Sequence, residues 1–156
     1  MRNIFIFTLF SFFLFSCKTS DGLSKEQKIA QMTEKIEGQA YIFNAQKALP
    51  LAGRSVDINY SYQLKVSKDT ISAYLPYFGR AYTAPISNDD AGVKFTSTDF
   101  EYSLSPEKNG TWNIKIKIND SQSKYRLFLK IGNSGKATLN VQDNRRQSIS
   151  YYGQIE

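Results

Sequence analysis

Arg80 is the residue in this chain best placed to do chemistry: it stands one past Gly79 and between Phe78 and Tyr82, in the run Leu75-Pro76-Tyr77-Phe78-Gly79-Arg80-Ala81-Tyr82. A guanidinium among rings can hold a carboxylate or phosphate through two parallel hydrogen bonds and can stack on an aromatic face. Tyr77, Arg80 and Tyr82 are therefore the candidate rim of a ligand site. The same residues also suit a purely architectural role, in which Pro76 and Gly79 shape a corner, Tyr77 and Phe78 fill the core, and Arg80 pairs with an acid such as Asp99 or Glu101. A second set is basic. Lys115 and Lys117 project from one strand and Lys124, Arg126 and Lys130 from its neighbour, all opposite the apolar residues. Such an outer face attracts anionic headgroups or acidic glycans, and it is equally what a solvated sheet wall carries.

Much other chemistry is closed to this sequence. Histidine is absent, so a Ser-His-Asp mechanism is excluded and the commonest metal ligand is missing. Neither a Gly-x-Ser-x-Gly elbow nor a Gly-x-x-x-x-Gly-Lys phosphate loop occurs. Asp89 with Asp90, and Asp99 with Glu101, are the close carboxylate sets that glycoside cleavage or calcium binding would need. The first lies in a loop with too few further ligands, and the second alternates onto the wet side of a strand. No metal or cofactor is expected, and a non-enzymatic protein is expected ahead of a hydrolase using carboxylates with Tyr and Arg. The net charge of +6 is spread along the chain with no basic stripe, so nucleic acid is not an expected partner.

The start of the chain reads as an address. Met1-Arg2-Asn3 precedes an apolar run from Ile4 to Phe15, too short to cross a bilayer of ~30 Å as a helix and of the right length for a signal-peptide core. Leu14-Phe15-Ser16-Cys17 then resembles a bacterial lipobox, with Phe15 larger than the residue usual there. Residues 1–16 are thus expected to be a lipoprotein signal peptide, and Cys17, the single cysteine, the lipidated first residue of the mature chain. Residues 17–23 would be the tether, and 24–156 one domain. Several acyl chains anchor stably, each buried CH₂ adding ~0.8 kcal/mol.

The elements that must position Arg80 and the lysines follow from periodicity. Ser24 with Gln27 forms a capping box, Ile29, Met32 and Ile36 share a helical face, and Gly38 stops the helix. After Gly38 the period becomes two. Tyr41, Phe43 and Ala45 make a first strand, and Val56 to Val66 alternates as one uninterrupted second strand. Ile71, Ala73 and Leu75 lead into the octapeptide, after which Val93 and Phe95, then Phe100, Tyr102 and Leu104, resume. Asn109-Gly110, Gly132 to Gly135 and Asp143 to Arg146 are turns between strands facing inward through Trp112 to Ile118, Tyr125 to Ile131, Ala137 to Val141 and Ile149 to Ile155. The expected fold is mainly β (α+β): an N-terminal helix, then an antiparallel meander of about 8–9 strands forming a curled sheet or partly open barrel, which consecutive hairpins favour over a sandwich.

A lipobox, an aromatic first strand, the octapeptide followed by Ala84-Pro85, the Phe95 and Phe100 pair, the Trp112 hairpin and a closing Arg146, Ile149, Tyr151 and Gly153 together resemble a group of bacterial envelope lipoproteins carrying domain of unknown function 4251. The resemblance runs from about Gly38 to the end, and the octapeptide is its specific part. It implies a fold and a location in the cell envelope, lipid-anchored at the outer membrane, with the periplasmic or surface side left open. It brings no catalytic residues, substrate or cofactor. The expected partners are the membrane, through the lipid anchor at Cys17, and an envelope protein or glycan.

Overall fold

A computed structural model describes residues 24–58, 61–82, 92–108, 110–121 and 124–156. The lipobox and tether expectations, and Asp89 with Asp90, lie outside them. Among the described residues there are one helix and ten strands. Helix α1 spans Lys25–Glu37. It opens on the capping box, Ser24 Oγ accepting from Gln27 N and Gln27 Oε1 accepting from Ser24 N, which satisfies amides that the first turn leaves unpaired. At its end Gly38 is still right-handed, its N–H donating to Glu34 O, and a Cβ there would stand 2.8 Å from that oxygen. The left-handed turn that follows is taken by Gln39, with φ +50°.

The strands are β1 Tyr41–Pro50, β2 Val56–Asp57, β3 Gln63–Val66, β4 Ile71–Pro76, β5 Gly92–Ser97, β6 Phe100–Glu107, β7 Thr111–Ile118, β8 Arg126–Ile131, β9 Lys136–Asp143 and β10 Arg146–Ile155. They form one antiparallel sheet in the order β5-β4-β3-β1-β10-β9-β8-β7-β6, with β2 also on β1. The sheet curls into a nearly closed barrel. Its wall is joined where the two ends of the domain meet, Phe43 pairing Ile155 and Ala48 pairing Tyr151.

The expected continuous strand from Val56 to Val66 is not formed. β1 pairs Lys47 with Asp57 but Phe43 with Leu64, registers that differ by three residues on the partner side. Ile58 N donates to Gln46 O and Tyr62 O accepts from Ala45 N; Asn59 and Tyr60, between them, lie outside the described residues. The interruption sits at Gln46, where β1 itself carries one extra residue against β10. A bulge breaks the even spacing of donors and acceptors, so the partner strand must skip as well. Leu64 and Val66 still face inward.

Closure on the other side uses a bend. Every neighbour along the nine-strand path is antiparallel, so β5 and β6, at its two ends, point the same way in the unrolled sheet. Only Thr98 and Asp99 separate them in the chain. They are two halves of one long strand, the first paired to β4 and the second to β7. The bend also swaps faces: Val93, Phe95 and Ser97 turn inward before it, and Phe100, Tyr102 and Leu104 after it.

A bend frees backbone donors that a straight strand would place in a ladder, and these need acceptors. Asp120 supplies them, taking Ser97 Oγ at 2.5 Å, Thr98 N at 3.2 Å and Asp99 N at 3.4 Å. The Ser97 hydrogen bond, first, and the two amides hold its carboxyl below the usual aspartate range. A carboxyl whose folded pKa lies under its unfolded value of ~3.9 stabilises the fold above that value, and the contribution is lost as pH falls through the folded pKa. Asp120→Asn is therefore expected to lower the urea midpoint at neutral pH, with the gap from wild type narrowing in acid below about pH 4. A gap that stays constant with pH would show that the charge at the bend is not what stabilises it.

The inner faces meet in one core that includes Phe43, Leu64, Ile116, Leu127 and Tyr151. Helix α1 covers one pole of the barrel with the face expected of it. Ile36 is fully buried, and Ile29 and Met32 lie over the turns at Gly110 and Gly135, where any added side chain would meet them. The Tyr41 and Tyr102 hydroxyls meet 3.2 Å apart beneath it, and Tyr102 also donates to Ile36 O. By the strand registers, the opposite pole carries residues 77–82, the β7–β8 connection and the β9–β10 turn.

Candidate functional site

The octapeptide divides into a clamped half and a presented half. β4 ends within it, at Pro76, whose carbonyl accepts from the buried Tyr151 hydroxyl at 2.6 Å. Past that point the chain lies along the β9–β10 turn. Arg80 O accepts from Gln147 N, Tyr82 N donates to Arg145 O, and Ala81 pairs with Arg146. Tyr77 is half-buried and donates toward two backbone carbonyls, Arg80 O at 2.9 Å and Gln147 O at 3.0 Å. Burial raises its hydroxyl above the ordinary range, partly offset by the positive charge of Arg146. Proline and glycine serve here as a corner: β4 cannot continue past Pro76, and Gly79 leaves room where a Cβ would fall 2.6 Å from the Tyr77 hydroxyl.

The buried cation of this region is Arg146, not Arg80. Its side chain is 8% exposed and its Nε stands 3.0 Å from Asp143 Oδ2, on a carboxylate 2% exposed. Arg146 also donates to Gly92 O at 3.1 Å and lies 5.0 Å from the Tyr77 ring centroid. The pair was legible in principle, because Asp143 and Arg146 face each other across a two-residue turn, and opposite charges directly opposite on adjacent strands attract. What the turn alone does not reveal is that residues 77–82 fold over it and take it out of water.

Arg80 itself points to solvent, and among the described residues no acid pairs with it. The acids proposed for it are engaged elsewhere: Asp99 accepts from Asn119 Nδ2 at 3.1 Å, and Glu101 binds Lys117 at 2.6 Å, which holds the Glu101 carboxyl low. Phe78 is 40% exposed, so it does not fill the core, and Tyr82 is 69% exposed. The three proposed rim residues thus do not converge equally. Tyr77 is turned inward as a clamp, while Arg80 and Tyr82 stand outward beside Phe78.

The five basic residues do share the outer face, and all are exposed. Lys117 lies directly opposite Arg126, and Lys115 opposite Phe128, with its Nζ 5.9 Å from that ring centroid. Lys117 and Lys130 are paired to Glu101 and Glu107. Lys124 and Arg126 meet no acid among the described residues.

No curated protein matches the chain. In three dimensions it is similar to a DUF4251 family protein from Bacteroides eggerthii DSM 20697, whose crystal structure superposes with a TM-score of 0.60 at 14% identity, over 82% of this chain and 86% of that one. At that identity the likeness speaks for the fold. The family model described as Domain of unknown function (DUF4251) matches residues 23–155, nearly all of the helix and barrel, and the chain belongs to that family.

Proposed function

We propose that this protein is a non-enzymatic, lipid-anchored module of the bacterial cell envelope that binds an envelope protein or glycan through the corner at residues 77–82. The observation that carries the reading is the division of that corner: Tyr77 is bonded to two carbonyls, while Phe78, Arg80 and Tyr82 face outward on a backbone fixed by the β9–β10 turn. Exposed aromatic and arginine side chains on a rigid support are the residue types that dominate binding surfaces. Helix α1 lies at the other pole, so acyl chains on Cys17 would draw that pole toward the outer membrane and leave the corner facing away. A structural accessory role is the second reading, favoured by the way the same segment clamps the β9–β10 turn.

Capture from the native envelope separates the two. Arg80→Ala and Tyr82→Ala change exposed side chains and should leave stability within about 0.5 kcal/mol. Each is expected to reduce recovery of a cross-linked partner at least tenfold, a change of ~1.4 kcal/mol in binding. Equal recovery by wild type and both folded variants would leave the corner as architecture.

A further inference from the structure

We propose a second binding site, on the outer wall at the β7–β8 connection, for a small molecule of monosaccharide size bearing a carboxylate or phosphate. It does not rest on the reading of residues 77–82. A groove of about 380 Å³ opens there, lined by Lys117, Ile118, Asn119, Lys124, Tyr125, Arg126 and Asn144. That volume lies within the range of small-ligand sites, ~300–1,000 Å³. Tyr125 is fixed from beneath by stacking on Phe95, centroids 4.9 Å apart, and with Ile118 forms a buried floor, to which the alkyl stems of Lys117, Lys124 and Arg126 add apolar lining.

The polar groups around the groove are nearly all cations and amide donors. None of the lining residues is an acid, and the acids beside them are each engaged: Glu101 with Lys117, Asp99 with Asn119, Asp120 with Ser97 and the Thr98 and Asp99 amides, and Asp143 with Arg146. Lys124 N donates to Asn144 Oδ1, which orients that side chain and leaves its Nδ2 as a donor. The Lys124 ammonium and the Arg126 guanidinium have no acid partner among the described residues. Arg126 is moreover in direct register with Lys117. Lys117 is held by Glu101, which leaves the Arg126 guanidinium as the cation of that facing pair without a counter-charge among the described residues and free to meet an oxyanion. Arginine beside an amide donor suits the two-oxygen edge of a carboxylate or phosphate, and the apolar lining suits the carbon face of a ring.

The test is a titration of the full chain with glucuronate, glucose 6-phosphate, inorganic phosphate and uncharged glucose, following the side-chain NMR signals of Arg126 and Asn144. One or both sugar anions are expected to shift these signals and glucose to leave them still, with the responsive anion identifying the preferred oxyanion. Arg126→Gln should weaken the interaction about tenfold, and Lys115→Gln, on the same face but outside the groove, should not change it. The proposal is overturned if neither sugar anion binds, if glucose gives the same shifts, or if Arg126→Gln binds as wild type does. Inorganic phosphate binding as tightly as the sugar phosphate would overturn the assignment of a ring-sized ligand.

Discussion

Arg146→Ala is expected to destabilise the protein by about 3–5 kcal/mol, the usual effect of removing one partner from a buried ion pair. The reason is what remains behind. The Asp143 side chain is almost fully buried; its Oδ1 accepts from Arg145 N at 3.0 Å, while Oδ2 faces Arg146. With the arginine gone, that buried oxygen loses its only ion-pair partner among the described residues. The Gly92 carbonyl loses a donor, and the Tyr77 ring loses the cation packed beside it. Against a typical total stability of ~5–15 kcal/mol the loss is severe. It should be read from the urea midpoint at unchanged slope. The double variant Asp143→Asn, Arg146→Met should recover much of it, since the uncompensated charge is then absent. The exposed pair Lys117–Glu101 provides a contrast: both side chains are at least half exposed, and Lys117→Ala should change the midpoint far less. If the two alanine variants lose the same small amount, the Asp143–Arg146 pair is not the clamp described above.

Gly153→Ala should have a comparable effect for a different reason. Gly153 pairs with Ala45 where β10 crosses the bulge of β1. A Cβ there would fall on the Asn44 carbonyl oxygen, 2.9 Å from its carbon and 3.0 Å from Phe43 Cε2. Overfilling a core usually costs ~1–3 kcal/mol because side chains can shift. Here the obstacle is backbone held in the β1–β10 ladder, the seam that joins the two ends of the domain, so the loss should reach or exceed the top of that range. The expected result is a lower thermal midpoint with broadened signals from Phe43 and Tyr151. Gly132→Ala is the matched control. A Cβ there would meet only the Lys136 carbonyl at 3.5 Å, an ordinary contact, and the alanine should be neutral or slightly stabilising through its stiffer unfolded chain. A Gly153→Ala loss under about 1 kcal/mol would mean that the seam can open to admit a methyl group.

What the amino-acid order determined by itself is the local part. Side chains alternate across a strand, so the inward sets through Trp112 to Ile118, Leu127 to Ile131 and Ala137 to Val141 followed from residue type alone. Ser24 with Gln27 likewise placed the helix start, because a capping box is closed by residues three apart. The face swap at Thr98–Asp99 was written in the same pattern, as odd-numbered inward residues before it and even-numbered ones after. That the swap marks a bend joining two edges of the wall was not. Tertiary structure alone decided that β1 pairs with β10, that its bulge splits the alternating run after Ile58, and that Arg146 goes inside while Arg80 stays out. Each of these depends on which distant backbone arrives at a given edge and which side chain it then shields from water, and neither is encoded by period or spacing within a single strand.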